Sequence, residues 1–216
     1  MKRLVVALAA FIAAAPLLQA DEVALMQIRF GKEKVLRRVA LEFHETEAPG
    51  HVSNFKKLAR DRFYNGLAFH RAFPHLLVQT GDPQSEKKDR SKVGTGGPGY
   101  TLPPEIRRKH AKGSVAAARL PDKINPSRMS NGSQFYVCLA PMPNFDGQYT
   151  VFGRVIYGLD VLDLISTKAV DSNDYPVERV EIDSLRIMPR EQLPPPPGPA
   201  APGPAPQKKQ WWQIFG

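Results

Sequence analysis

An arginine and a glutamine stand on two short apolar stretches, Phe69-His70-Arg71-Ala72-Phe73 and Leu76-Leu77-Val78-Gln79. Pro74 between them blocks a continuous ladder, so they read as two strands, or one bent strand, lying as near neighbours. A guanidinium stays charged and offers several donors in one plane, so an apolar setting aims it at an acceptor. Taken alone, an arginine on a strand is more often a solvated edge or a salt bridge than a catalyst. Gln79 and Gln134 also fit amides that merely satisfy backbone groups. Phe135, Tyr136, Phe145 and Phe152, one by one, fit a core.

Other chemistries find little footing. Gly94-Thr95-Gly96-Gly97-Pro98-Gly99 matches the dinucleotide-binding glycine pattern in form. That pattern needs an apolar strand before it and a helix after it, whereas charged residues precede this segment and Pro98 interrupts it. It reads as a loop, with no cofactor. Asn131-Gly132-Ser133 matches a glycosylation acceptor, but Asn-Gly serves better as a turn into the next strand. His44, His51, His70, His75 and His110 do not fall at metal-ligand spacings, so no metal is expected. Ser133, His70 and Asp82 make a hydrolase triad only on paper, since no nucleophile-elbow sequence accompanies them.

The elements that must position Arg71 and Gln79 are mostly strands. Val23 to Phe30 and Val35 to Phe43 alternate around a turn at Gly31-Lys34, which predicts a hairpin. Val52, Phe55 and Leu58 recur at helical spacing in 51–60, with Ser53 or Asn54 expected as caps. Strand signals return at 114–118, 134–139, 149–155 and 180–188, with a second short helix over 160–166. Residues 85–100 form a long polar loop of the kind usually kept for function. Many strands and two short helices, without a strand-helix-strand repeat, predict a mainly β fold: an antiparallel sheet closed into a barrel.

The 216-residue chain divides into four parts. Lys2-Arg3, the apolar run Leu4 to Leu18 and Ala20 describe a secretory signal peptide over 1–20 that is removed on export, to the periplasm or outside the cell. Residues 21–190 hold one domain. From 191 to 207 follows a proline-rich linker with eight prolines within Pro194 to Pro206, a semi-stiff spacer of about 40 Å. Residues 208–216 form an aromatic tail. Trp211, Trp212 and Phe215 behind Lys208-Lys209 suit an anionic membrane surface or a protein partner. The lone Cys138 excludes an internal disulfide and is expected to be buried among Val137 and Leu139. The net charge of +9 is scattered and carries no nucleic-acid module, so a solvated basic surface is the expectation.

Four stretches in this order, F-H-R at 69–71 with Q-x-G-D at 79–82, G-S-V-A-A-A-R at 113–119, N-G-S-Q-F at 131–135 and F-D-G-Q-Y-T-V-F-G-R-V at 145–155, resemble the cyclophilin family. The resemblance runs from about Val23 to Met188, and residues 94–105 are similar to bacterial members. It implies an eight-stranded barrel capped by two short helices, acting as a monomeric peptidyl-prolyl cis/trans isomerase on proline-containing polypeptides. Arg71 would donate to the twisted prolyl nitrogen and Gln79 would orient it. Leu76, Leu77, Tyr136 and Phe145 would form the proline pocket, with Tyr149 where a histidine often lines it. Ala118 and Arg119, largely through the backbone, and Gln134 would hold the substrate chain. Leu76, Leu77, Tyr136, Tyr149, Ala117 and His75 depart from the commonest residues. Asn144 stands where eukaryotic members have a tryptophan, which implies weak cyclosporin binding. These departures also admit a proline-peptide binding or chaperone module with little turnover, docked through its tail.

Overall fold

The computed structural model describes residues 21–87 and 89–196. The expected signal segment, the aromatic tail and most of the proline-rich spacer lie outside the described residues.

Alternation at the start of the domain produces the expected hairpin, with β1 (Glu22–Phe30) antiparallel to β2 (Arg37–Phe43). Then come α1 (Pro49–Arg60), β3 (Arg71–Phe73), β4 (Leu77–Thr80), β5 (Ser114–Ala117), β6 (Phe135–Cys138) and β7 (Val151–Tyr157). The last elements are α2 (Leu159–Ser166) and β8 (Val180–Pro189). The eight strands form one curled sheet in the order β3-β4-β6-β5-β7-β2-β1-β8, antiparallel throughout.

The expected closure into a barrel is not a continuous ladder. The outer edge of three-residue β3 is taken by a loop, Ala72 N–H donating to the Asp174 carbonyl at 3.0 Å. The seam to β8 is carried instead by the residues before β3. Gly66 N–H donates to Ile182 at 2.7 Å, Ile182 N–H to Leu67 at 2.9 Å and Phe69 N–H to Val180 at 2.9 Å.

Inside the curl, Met26, Ile28, Phe30, Val39, Leu41, Val115, Val137, Phe152 and Ile182 are buried against Val52, Phe55 and Ala59 of α1 and Leu162 and Ile165 of α2. Aromatic rings of Phe55, Tyr64, Phe135 and Phe152 meet edge-on or tilted, the arrangement their quadrupoles favour.

α1 begins earlier than the sequence pattern predicts, and its cap comes from elsewhere. Pro49, with φ already helical and no N–H to satisfy, opens the helix behind Ala48, which gives no side-chain cap. The free N-terminal donors Gly50 N–H and His51 N–H reach the Glu105 carboxylate at 3.0 Å each. Asn54, expected near the cap, instead donates to the Gly132 carbonyl at 2.6 Å and accepts from the Tyr100 hydroxyl at 2.6 Å. At the other end of the domain the chain stays hydrogen-bonded through a short 3-10 turn, Arg190–Gln192, whose first N–H donates to the Asp21 carbonyl at 2.8 Å.

Candidate active site

Successive strand side chains point to opposite faces, and three central strands use both. Val78, Val115, Phe135 and Val137 face the barrel core. Leu77, Ala116, Tyr136 and Cys138 face the other way, where Met142 and Val151 join them and Phe73, Ala118, Phe145 and Tyr149 pack alongside. The strands therefore build a second, smaller apolar cluster on the outside of the curl.

Register arranges the polar groups beside it. Arg71 pairs with Gln79, Gln79 with Tyr136, and Tyr136 with Ala116. Directly opposite residues share a face, so a transverse row leads from a cation past an amide to a phenol ring. Along this row and the loops above it lies a groove of about 1130 Å³. All ten residues singled out in the sequence line it: Arg71, Gln79, Leu76, Leu77, Ala118, Arg119, Gln134, Tyr136, Phe145 and Tyr149.

The apolar end is a box of rings. Phe145 and Tyr149 lie 4.9 Å apart and tilted, and both stand nearly perpendicular to Tyr136, at 5.9 and 5.8 Å. Leu77 is buried at the bottom, while Leu76 is exposed at the rim. Cys138 is buried under the box, as expected, and burial pushes its thiol up to about 12, which leaves it an inert apolar group.

The other end is polar, and two contacts differ from expectation. Gln79 does not bond Arg71; its amide donates to Gln134 Oε1 at 2.9 Å. Gln134 in turn donates to the carbonyls of Gly94 and Gly96 at 3.1 and 2.8 Å, so the two glutamines form one string that pins the 90s loop. Arg71 is consequently held loosely. Its Nε lies 3.9 Å from Asp174 Oδ2, its guanidinium carbon lies 4.9 Å from the Phe73 ring centre, and half of its side chain is exposed. At Ala118 both backbone groups are engaged, N–H to the Gln134 carbonyl and C=O from Asn131 N–H, each at 2.9 Å. That leaves a substrate strand less main chain there than the resemblance implies. Arg119 shares its guanidinium among the Tyr149 ring, 4.6 Å away, the Gln148 and Leu120 carbonyls at 2.9 Å each, and the Asp122 carboxylate, which braces the box from outside.

The false motifs resolve into structure. The amides of Gly94 and Gly96 point at the Asp82 carboxylate, which also accepts from Gln84 N–H at 2.7 Å. The anion cradled by the glycine loop is thus the chain's own. A Cβ at Gly96 would stand 2.1 Å from Asp82 Oδ1. Ser133 Oγ donates to the Gly81 carbonyl at 2.8 Å, so the paper triad does not assemble. Asn131 turns inward, donating to the Gly96 carbonyl at 3.0 Å and accepting from Gln134 N–H at 3.0 Å, and Gly132 takes the positive φ of 99° expected of that turn.

Sequence reasoning missed His70 and His110. His70, next to Arg71, lines the groove while almost fully buried, and neither ring nitrogen forms a hydrogen bond among the described residues. Burial drives it down to about 4, against the pull of Asp82. His110 sits behind the ring box. Their types suggest only metal ligands or nucleophile partners, and nothing in their spacing marks a buried neutral imidazole.

A family model described as cyclophilin type peptidyl-prolyl cis-trans isomerase/CLD matches residues 25–187. A peptidyl-prolyl cis-trans isomerase of Helicobacter pylori is 40% identical over 132 residues, covering 59% of this chain and 73% of that protein. One of Synechococcus elongatus is 40% identical over 117 residues, covering 54% and 72%. The crystal structure of a Cryptosporidium parvum cyclophilin type isomerase, solved in the presence of the dipeptide Ala-Pro, superposes with a TM-score of 0.64 at 23% identity, over 77% of this chain and 98% of the other. With the family pattern spanning nearly the whole described domain, the chain belongs to the cyclophilin-type peptidyl-prolyl cis-trans isomerases.

Proposed function

We propose that this isomerase acts by a hydrogen bond from Arg71 to the prolyl nitrogen of an X-Pro bond as that bond twists. The observation that carries this reading is the placement of a loosely held guanidinium on the same sheet face as the apolar ring box, with Gln79 between them.

Amide resonance sets a barrier of about 18–20 kcal/mol to rotation. No covalent chemistry is needed to lower it. Half-way through the turn the nitrogen loses conjugation and its lone pair can accept a hydrogen bond. A donor aimed there stabilises the twisted bond more than either planar form, which is the condition for acceleration. The proline ring enters the box of Leu77, Tyr136, Phe145 and Tyr149, so one side of the bond is fixed while the other rotates. The backbone near Arg119 holds the preceding chain, beside the loop that Gln134 pins. The dipeptide present with the Cryptosporidium parvum protein agrees with such a ligand. The test is cis/trans exchange of a short Ala-Pro peptide at low temperature. Wild type accelerates it and Arg71→Ala does so at least about a hundredfold less; equal rates would leave only a peptide-binding module.

The substrates, on this reading, are exported proteins, supported by the basic start, apolar run and small residue of 1–20. Amino-terminal sequencing of the mature protein from the producing cell would find it starting near Asp21, and an intact Met1 would refute export by cleavage. The tail carrying Trp211, Trp212 and Phe215 docks the enzyme to a membrane surface or a partner. Deleting residues after Leu193 would then shift the protein out of the membrane or partner-bound fraction, and unchanged fractionation would end that idea.

A further inference from the structure

The phenol of Tyr136 lies in the floor of the ring box, 3% exposed, and a buried hydroxyl needs a partner. Its partner is His110 Nε2 at 3.0 Å. On the far side of that imidazole, Nδ1 lies 3.1 Å from Asp146 Oδ1, and His110 N–H donates to the same oxygen at 2.7 Å. An ionised carboxylate only accepts. Nδ1 therefore carries the ring proton, Nε2 offers its lone pair, and the Tyr136 hydroxyl is the donor.

This string ties together three walls that come from different parts of the chain. The imidazole lies parallel to the Tyr136 ring at 6.1 Å and edge-on to Phe145 and Tyr149 at 5.9 and 6.3 Å. Asp146 directly follows Phe145, and Met142 N–H donates to the His110 carbonyl at 2.9 Å. Every aromatic wall of the box thus touches His110 or adjoins a residue bonded to it.

Resting on the reading that this box takes the proline ring, we infer that His110 is a positioning residue: neutral, and held by Asp146, it fixes the Tyr136 floor against Phe145, so substrate affinity depends on its charge state. Protonation would put a hydrogen on Nε2 facing the phenol hydrogen. The hydroxyl would have to turn its proton away, toward the apolar box. The titratable and charged groups around the imidazole are Asp146 on the 143–146 turn, Tyr136 and Cys138 on β6, and Tyr149, with Arg119 behind the Tyr149 ring and Lys109 beside Asp146. Burial lowers the imidazole below its usual range, and the Asp146 bond only partly restores it. A proline ring seated in the box leaves that turned hydroxyl without a partner, so binding favours the neutral form and affinity falls as pH drops through the range, lowered by burial, in which the imidazole takes up its proton.

The test measures the dissociation constant of an Ala-Pro tetrapeptide by NMR titration, and KM and kcat by exchange, from pH 5 to 8. The proteins are wild type, Tyr136→Phe, His110→Leu and the double variant. His110→Leu strands the phenol and weakens binding about tenfold at pH 7.5 with kcat nearly unchanged; removing both partners recovers most of that loss. The acid limb of wild-type affinity is absent from Tyr136→Phe, which preserves shape, and from the double variant. The inference is overturned by an affinity flat with pH in wild type, by an acid limb kept in Tyr136→Phe, or by variants that lose thermal stability while binding the peptide as wild type does. It is also overturned if no form binds. Binding without exchange would sink the isomerase reading and leave this inference standing.

Discussion

The two ends of the groove are held in opposite ways. At the apolar end the rings are braced by one another, by His110 from behind and by Arg119 from outside. At the polar end Arg71 is half exposed, with a 3.9 Å ionic contact and one aromatic neighbour. On the proposed mechanism, the box is preorganised to hold a ring still, whereas the guanidinium keeps freedom to follow a nitrogen that moves as the bond turns. Substitutions at the two ends should therefore fail differently: in turnover at Arg71, and in affinity or folding around the box and the loop above it.

The largest effect is expected at Arg71. Arg71→Ala should lower kcat/KM by on the order of a hundredfold to a thousandfold, while the thermal midpoint barely moves, because exposed positions change stability by about ±0.5 kcal/mol. A melting temperature that fell with activity would erase the contrast between the two ends.

Next is the carboxylate that holds the glycine loop over the groove. Asp82 is fully buried and accepts from three backbone amides. Asp82→Ala should cost about 2–4 kcal/mol of stability, less than three times the roughly 1.5–3 kcal/mol of a hydrogen bond to a charged group, because the freed loop amides can turn to water. Urea unfolding measures it, and a loss under 1 kcal/mol would show that the loop is held some other way.

Acid should loosen the same region. His70 is neutral in the fold because burial lowers it to about 4, whereas unfolded histidine titrates near 6.5. The unfolded chain therefore binds the proton more readily. The associated stability is complete above about 6.5 and is lost as pH falls through about 4. A His70→Phe variant should show a flatter fall of melting temperature over that interval; an identical slope would remove His70 from the account.

The smallest effect concerns the turn between β3 and β4. His75 sits at φ +55°, the left-handed region that side chains disfavour by about 1–2 kcal/mol. Its ring nitrogen lies 2.8 Å from Asp163 on α2, an exposed contact contributing at most about 1 kcal/mol. His75→Gly should thus gain up to about 1 kcal/mol, raising the melting temperature by about 2–4 °C. A decrease would show that the Asp163 contact outweighs the backbone strain.

What could be read from the residues, and what could not, follows the range of the interactions. Strand alternation, the hairpin and both helices are local, and each stands within a few residues of its expected place. The ten groove residues were legible because their motifs are long and ordered. Long-range partnerships were not. Glu105 caps a helix 55 residues earlier in the chain, Gln79 bonds Gln134 rather than the arginine opposite it, and Asp174 occupies the sheet edge that a closed ladder would need. His110 is silent in the sequence because its role exists only where β6, the segment before β5 and the 143–146 turn converge.

The central claim is that Arg71 stabilises the half-turned bond rather than the bound peptide. NMR exchange on a saturating Ala-Pro peptide measures both quantities in one sample. The account predicts that Arg71→Ala slows on-enzyme interconversion by about a hundredfold or more while the dissociation constant stays within about threefold. A variant that binds much more weakly yet interconverts bound peptide at the wild-type rate would contradict it.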